Sequence, residues 1–219
     1  MARTITVKGV GNVSATPDYV NINLNLESSS LDYEAAMEQA AKKIEYLTAT
    51  LEMLGIEKKE IKTTNFNVRT DYDSVKDKDG SYMRIFCGFT CHHQLKIGFD
   101  FDTNRLAQVL SAVAKCLAEP ELSISFTVKD ANAVNRNLLA SATANARAKA
   151  EILTAAANVS LGPLLSIDYN WGELDIYSTT RYDACTDKML LPCPSAPTID
   201  IEPEDIHVSD TVTFVWEIA

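Results

Sequence analysis

Val20-Asn21-Ile22-Asn23-Leu24-Asn25-Leu26 alternates apolar and polar residues at every step. Successive side chains of a strand point to opposite faces, so this run predicts a half-buried strand with Val20, Ile22, Leu24 and Leu26 facing in. Tyr19, Asn21, Asn23, Asn25 and Glu27 then make a solvated outer face. Moving outward, the period changes. Met37, Ala40, Ile44, Leu47, Leu51 and Leu54 recur at spacings of three and four. They predict a helix over residues 31–54, with Ser30 as N-cap and Gly55 as its stop. A strand over residues 60–72 follows, anchored by Phe66 and Val68, and then a polar hairpin loop over 73–80. Residues 83–101 give the longest alternation. Met83, Ile85, Cys87, Phe89, Cys91, His93, Leu95, Ile97, Phe99 and Phe101 share one face. That length exceeds a usual strand. The strand must bend, at Gly88 or Gly98, or run past its own sheet to pair with another element or subunit. A second helix (103–118) and a strand (122–128) complete the order β-α-β-β-α-β over residues 20–128. This is the ferredoxin-like plan, an antiparallel sheet with two helices on one face.

The flanks extend that core. Residues 4–14 alternate as a strand containing Gly9 and Gly11. The run Gly9-Val10-Gly11-Asn12-Val13-Ser14 lacks the third glycine and the following helix of a phosphate-binding loop. Its glycines therefore predict a bulge or the close approach of another backbone. Thr16-Pro17-Asp18 is a turn. An alanine-rich helix over 131–158 carries a stripe of Val134, Leu138, Ser141, Asn145, Ala148, Ile152 and Ala155, and Gly162-Pro163 ends it. A strand over 164–171, an irregular stretch over 173–208 and a last strand over 211–218 follow. The α+β chain is expected to be one domain, 1–219, with its core at about 19–129 and a helix-and-strand extension at 130–219.

Composition narrows the partners. The net charge is −10, from 30 acidic and 20 basic residues. That disfavours nucleic acid and anionic membrane, which both need a basic footprint. No apolar run approaches the roughly 20 residues of a membrane span. Met1-Ala2-Arg3-Thr4-Ile5 enters strand alternation with no apolar leader. A cytoplasmic location is expected, or an exported one if a leader has been removed. The five cysteines make an odd count, which predicts reduced thiols over a disulfide framework.

One cluster has metal-binding residue types. Cys87, Cys91, His92 and His93 sit on a single strand. Cys91 and His93 share a face, whereas Cys87 lies roughly 13 Å from Cys91 along a straight strand. His92 points the other way. At least two further ligands would have to come from elsewhere, such as Cys185, Cys193 or His207. The competing reading makes Cys87 and Cys91 small core hydrophobes, since their face is otherwise apolar. Cys185 and Cys193 have seven residues between them and do not form a C-x-x-C redox pair. No nucleophile elbow is present, and no carboxylate pair stands out as an acid–base couple. The acidic loop at 73–80 lacks EF-hand spacing. Tyr169, Trp171 and Tyr177 cluster around the exit of the strand at 164–171, where aromatic side chains serve either packing or a ligand.

Four stretches carry a family resemblance. They are Ile5 to Val13 with Pro17-Asp18, Leu54-Gly55-Ile56 to Ile61-Lys62-Thr63, Ala142 to Leu153 around Ala146-Arg147-Ala148-Lys149-Ala150-Glu151, and Ile206-His207-Val208-Ser209 to Val212-Thr213-Phe214. In this order and spacing they resemble the SIMPL-domain family, long described as a domain of unknown function. The resemblance covers nearly the whole chain. It implies an α+β fold, homo-oligomerisation and a place among envelope or stress-tolerance proteins of bacteria, or a kinase-associated adaptor of animals. The family offers no catalytic residues to carry over. The chain is thus expected to be a non-enzymatic assembly protein with no cofactor and with other protein chains as partners. A metal- or redox-responsive protein using Cys91, His93, Cys185 and Cys193 is the alternative.

Overall fold

A computed structural model describes residues 3–76, 82–170, 172, 174–184 and 201–219. Among these, eight strands and three α-helices follow one another: β1 (Thr4–Ala15), β2 (Tyr19–Ser30), α1 (Tyr33–Glu52), β3 (Lys62–Lys76), β4 (Tyr82–Asp100), α2 (Thr103–Ala114), β5 (Glu121–Thr127), α3 (Ala131–Ala156), β6 (Leu161–Asp168), β7 (Tyr177–Ala184) and β8 (Ile206–Ile218). The chain divides into two compact units. One is made of Tyr19–Ser125 and Arg181–Glu202, the other of Met1–Asp18, Phe126–Thr180 and Pro203–Ala219.

The first unit carries the ferredoxin-like core. Its sheet has the order β3-β4-β2-β5-β7, so the first and third strands of the βαββαβ unit lie at the centre. β4 runs antiparallel to both β2 and β3. Val20, Ile22, Leu24, Leu26, Leu95 and Ile97 are buried, as their alternation predicts. α1 packs on β2 and β4 and against α2. It buries Ala36, Ala40, Leu47 and Leu51, while α2 buries Leu106, Val109, Leu110 and Val113. The outer face is less solvated than expected. Asn21 is buried, and Asn23 and Asn25 donate to Ser123 Oγ and Glu121 Oε2 on β5.

Helix ends show which local signals act. Asp32, not Ser30, holds the N-cap position of α1; Ser30 closes β2, and its Oγ accepts from the Asp32 N–H at 3.3 Å. At the other end Gly55 adopts φ 78°, with Gly55 N–H bonded to Glu52 O at 2.9 Å and Ile56 N–H to Leu51 O at 3.1 Å. This is the paired bonding of a Schellman stop. An added Cβ at Gly55 meets no atom within 4 Å. Gly55→Ala is therefore expected to cost only the left-handed backbone penalty, about 1–2 kcal/mol. A urea titration reads it, and an unchanged midpoint would refute the assignment. α3 stops the same way at Asn158, φ 54°, and Gly162-Pro163 lie inside β6 instead of ending the helix.

The second unit is the sheet β1-β8-β6 under α3. β1 and β8 pair antiparallel along their lengths, from Thr4 opposite Glu217 to Ala15 opposite Ile206. The buried stripe of α3 is Val134, Leu138, Ala142, Ala146, Ala150 and Thr154, a strict four-residue repeat. The sequence pattern had placed Ala148, Ile152 and Ala155 there; Ile152 is instead 68% exposed. Small side chains let the helix approach closely. A Cβ at Gly9 would lie 2.0 Å from Ala142 O, and one at Gly11 would lie 2.2 Å from Leu138 O. The Ser141 and Asn145 row sits beside the stripe and covers the outer edge of β1. Asn145 Oδ1 accepts from Val10 N–H at 3.0 Å, Ser141 Oγ accepts from Asn12 N–H at 3.3 Å, and Lys149 Nζ donates to Lys8 O at 3.1 Å. Edge strands with free backbone groups recruit other chains, and these bonds occupy that edge between Lys8 and Asn12.

β7 lies in the stretch that sequence reading left irregular. Its Ser178 Oγ donates to Glu204 O and its Thr180 Oγ1 accepts from Glu204 N–H, which ties it to the approach of β8.

Candidate functional site

β4 outruns the sheet. β2 pairs with it only as far as Ser30 opposite Phe89. Beyond that point, among the described residues, β3 alone accompanies it, from Asp71 opposite Gly88 to Lys76 opposite Tyr82. The result is a two-stranded ribbon projecting from the sheet. Gly88 marks where it begins. Its φ is 134°, and a Cβ there would lie 2.5 Å from Ser30 O, so the end of β2 abuts a backbone that only glycine provides.

The register skips at the same place. Asp71 faces Gly88, but Tyr72 faces Phe86, leaving Cys87 as the extra residue of a bulge. The skip overturns the single face expected for Met83, Ile85, Cys87 and Phe89. Phe86 joins Phe89 instead, with ring centroids 5.4 Å apart, and Tyr72 meets Phe86 edge-on at 6.1 Å. The Arg84 guanidinium lies 4.6 Å from the Tyr72 ring centre on this side. Met83, Ile85 and Val75 belong to the opposite side. Tyr82 is 74% exposed, Met83 57% and Tyr72 50%. A two-stranded ribbon is marginal by itself in water, and apolar surface of this kind marks sites of association.

The cysteine–histidine cluster separates on the same strands. Cys91 is fully buried opposite Ser28 and Val68, and burial pushes its thiol up. His93 Nε2 is 3.0 Å from Thr63 Oγ1, and its ring meets Phe66 edge-on at 5.0 Å. His92 Nδ1 lies 3.6 Å from Glu27 on the other side. Cys87 is exposed in the bulge, its Sγ directed to Ile85 O at 3.4 Å. His207 belongs to β8 in the other unit. Cys185, Cys193 and Trp171 lie outside the described residues. Among the described residues no three His, Cys, Asp or Glu side chains converge on a metal position. Tyr169, from the aromatic group near β6, donates its hydroxyl to Asp210 Oδ2 at 2.9 Å, and that bond pushes the phenol up. A phenol held protonated is a poor general base.

His93 gives a pH-dependent signature. Partial burial holds its imidazole below the ordinary 6.5. The unfolded chain therefore takes up that proton first as the pH falls. This contribution to stability is complete above 6.5 and is lost as the pH drops toward the depressed value. His93→Gln should reduce the fall in urea midpoint between about pH 7.5 and about pH 5.5. An identical fall in variant and parent would refute it.

The fold is thus an α+β chain whose most conspicuous described surface feature is an exposed ribbon. The chain belongs to the SIMPL family, described as a protein of unknown function (DUF541), which it matches over residues 5–216. It is similar to the "Uncharacterized protein YggE" of Escherichia coli (strain K12), at 24% identity over 166 residues, covering 76% of this chain and 65% of that protein's length. The protein of the same description from Edwardsiella ictaluri is 22% identical over 219 residues, covering 98% of this chain and 87% of its own. No helix among the described residues is long and apolar enough to cross a membrane.

Proposed function

We propose that this chain is a non-enzymatic assembly protein that forms a homo-oligomer through the β3–β4 ribbon. The carrying observation is the ribbon beyond Gly88, which exposes Tyr72, Val75, Tyr82, Met83, Ile85 and Phe86 on two strands with no third strand beside them among the described residues. Covering both faces with a second chain buries that surface and stabilises a ribbon that is weak alone. Homo-oligomers with closed symmetry are the commonest soluble assemblies. The three described cysteines are free thiols, which suits a reducing, cytoplasmic compartment. A role in stress tolerance rests on the family resemblance alone. The metal- or redox-responsive alternative is less supported, because Cys91 is buried opposite Ser28 and Val68 and no three ligand side chains converge among the described residues.

Sedimentation velocity and native mass spectrometry on protein purified without chelator test this reading. A discrete multiple of the 24.1 kDa chain at apo mass is the expected result. A monomer at micromolar concentration would refute assembly. A bound zinc or copper would favour the alternative.

A further inference from the structure

α3 lies over β1 and β8, drawn there by its alanine stripe and the two glycines beneath it, and barely reaches β6. The uncovered strip between α3 and β6 is a groove of about 620 Å³. Its floor is Val212, Phe214 and Trp216, with the last two rings stacked 5.4 Å apart at 18°. Leu139 of α3 forms one wall; Leu164 and Ile167 of β6 form the other, 46% and 56% exposed. The volume falls within the roughly 300–1,000 Å³ of small-molecule sites, which are mostly apolar with a few polar groups.

We propose that this groove binds a neutral, mainly apolar small molecule, one that stacks or packs on Trp216 and carries no formal charge. The charge of the lining decides the class. Its cation, Arg147, already pairs with Glu151 at 2.9 Å, and its phenol, Tyr169, already donates to Asp210. Arg147 and Glu151 both line the groove and cancel, so a charged ligand would meet no net counter-charge there. A peptide strand is the less suitable occupant, because the edge it would extend is broken. Pro163 removes a donor from β6, and the β6–β8 register shifts between Leu161 and Leu164 and again between Leu164 and Ser166. Such irregularities blunt an edge against strand addition. The groove belongs to the β1-β8-β6 unit and the ribbon to the other, so this inference goes beyond the assembly reading and can fail separately from it.

The test uses the full chain and the uncharged dye N-phenyl-1-naphthylamine, whose emission rises in apolar sites. Saturable binding of about one dye per chain is expected, with energy transfer from Trp216 in a Trp171→Phe background. Thr143→Trp, which plugs the mouth from an exposed helix position, and Leu164→Lys should each weaken binding by about tenfold or more. Ile152→Ser, an exposed apolar residue of α3 outside the lining, should leave it unchanged. Decanol should displace the dye at about tenfold lower concentration than decanoate. Each variant is checked for an unchanged melting temperature, and two independent lining variants guard against one that misfolds. The proposal is overturned by unsaturable binding, by binding indifferent to both lining variants, or by decanoate competing as well as decanol. It is equally overturned if Leu164→Lys dissolves the oligomer, since the groove would then be covered by a second copy. Ribbon variants that abolish assembly but retain dye binding leave it standing.

Discussion

Gly9→Ala is expected to destabilise the chain by more than about 3 kcal/mol, an unusual cost for adding one methyl group. The reason is where the methyl must go. Its carbon would sit 2.0 Å from Ala142 O and 2.7 Å from Ala146 Cβ, inside both atoms. The obstacle at Ala142 is helix backbone, so no rotamer change relieves it. α3 has to retreat, and its retreat breaks the bonds from Val10 N–H to Asn145 and from Asn12 N–H to Ser141. It also opens space beside Val7, Val212 and Phe214, which pack with the alanines. Urea unfolding of Gly9→Ala and Gly11→Ala, with hydrogen exchange of the α3 amides, reads the effect. Lys8→Ala, immediately before the first glycine and exposed, is the control. A Gly9→Ala protein within about 1 kcal/mol of the parent would show that helix and strand are further apart than described.

The second large effect concerns assembly. Met83→Lys with Ile85→Lys places two like charges on one side of the ribbon. Both residues are about half exposed in the isolated chain, so the protomer should lose little stability. In an oligomer the same positions become desolvated, and an unpaired buried ammonium is costly. Central apolar anchors of interfaces typically contribute 2 kcal/mol or more each, so the dissociation constant should rise on the order of 100-fold or more. Sedimentation at several concentrations should show the variant as monomer where the parent is assembled, with matching melts of the separated protomers. A variant that assembles like the parent would place the interface elsewhere. A variant that unfolds would mean that the ribbon stabilises its own chain.

What could be read from the residues depended on how much contrast each segment carries. Residues 20–26 oppose aliphatic groups to asparagines at every step, so both β2 and its inward face were legible. Gly55 after an apolar helical stripe was legible for the same reason. α3 was placed correctly, but its face was turned by about one residue step. Alanines lie on several sides of that helix, so the pattern hardly distinguishes Ala148 from Ala146; only the glycines of β1 select the row. The bulge at Cys87 was hidden because Ile85, Phe86 and Cys87 are all apolar, and a skipped residue leaves no mark in such a run. Gly88 is the available sign, but a glycine in a strand predicts a bend and not the change of face that follows. β7 was missed because Tyr177-Ser178-Thr179-Thr180 carries no aliphatic alternation. Its threonines and tyrosines are nonetheless strand formers, and its ties to Glu204 are side-chain bonds that no periodicity reveals.

The pairing of β1 with β8 has a consequence for the order of events on the ribosome. β1 is synthesised first and β8 last, yet each is the other's partner along its whole length. At the usual 5–20 residues per second, β1 waits roughly ten to forty seconds before its neighbour emerges. Residues 19–125 leave the exit tunnel well before β8, so the βαββαβ unit has the means to form while β1 is still unpaired. Through the first part of that interval, until α3 is made, β1 shows Ile5, Val7, Val10 and Val13 to solvent with its edge unsheltered, and its β8 side stays open to the end. The nascent chain, more than the finished one, is therefore the form in which this protein is exposed to aggregation and to chaperone capture.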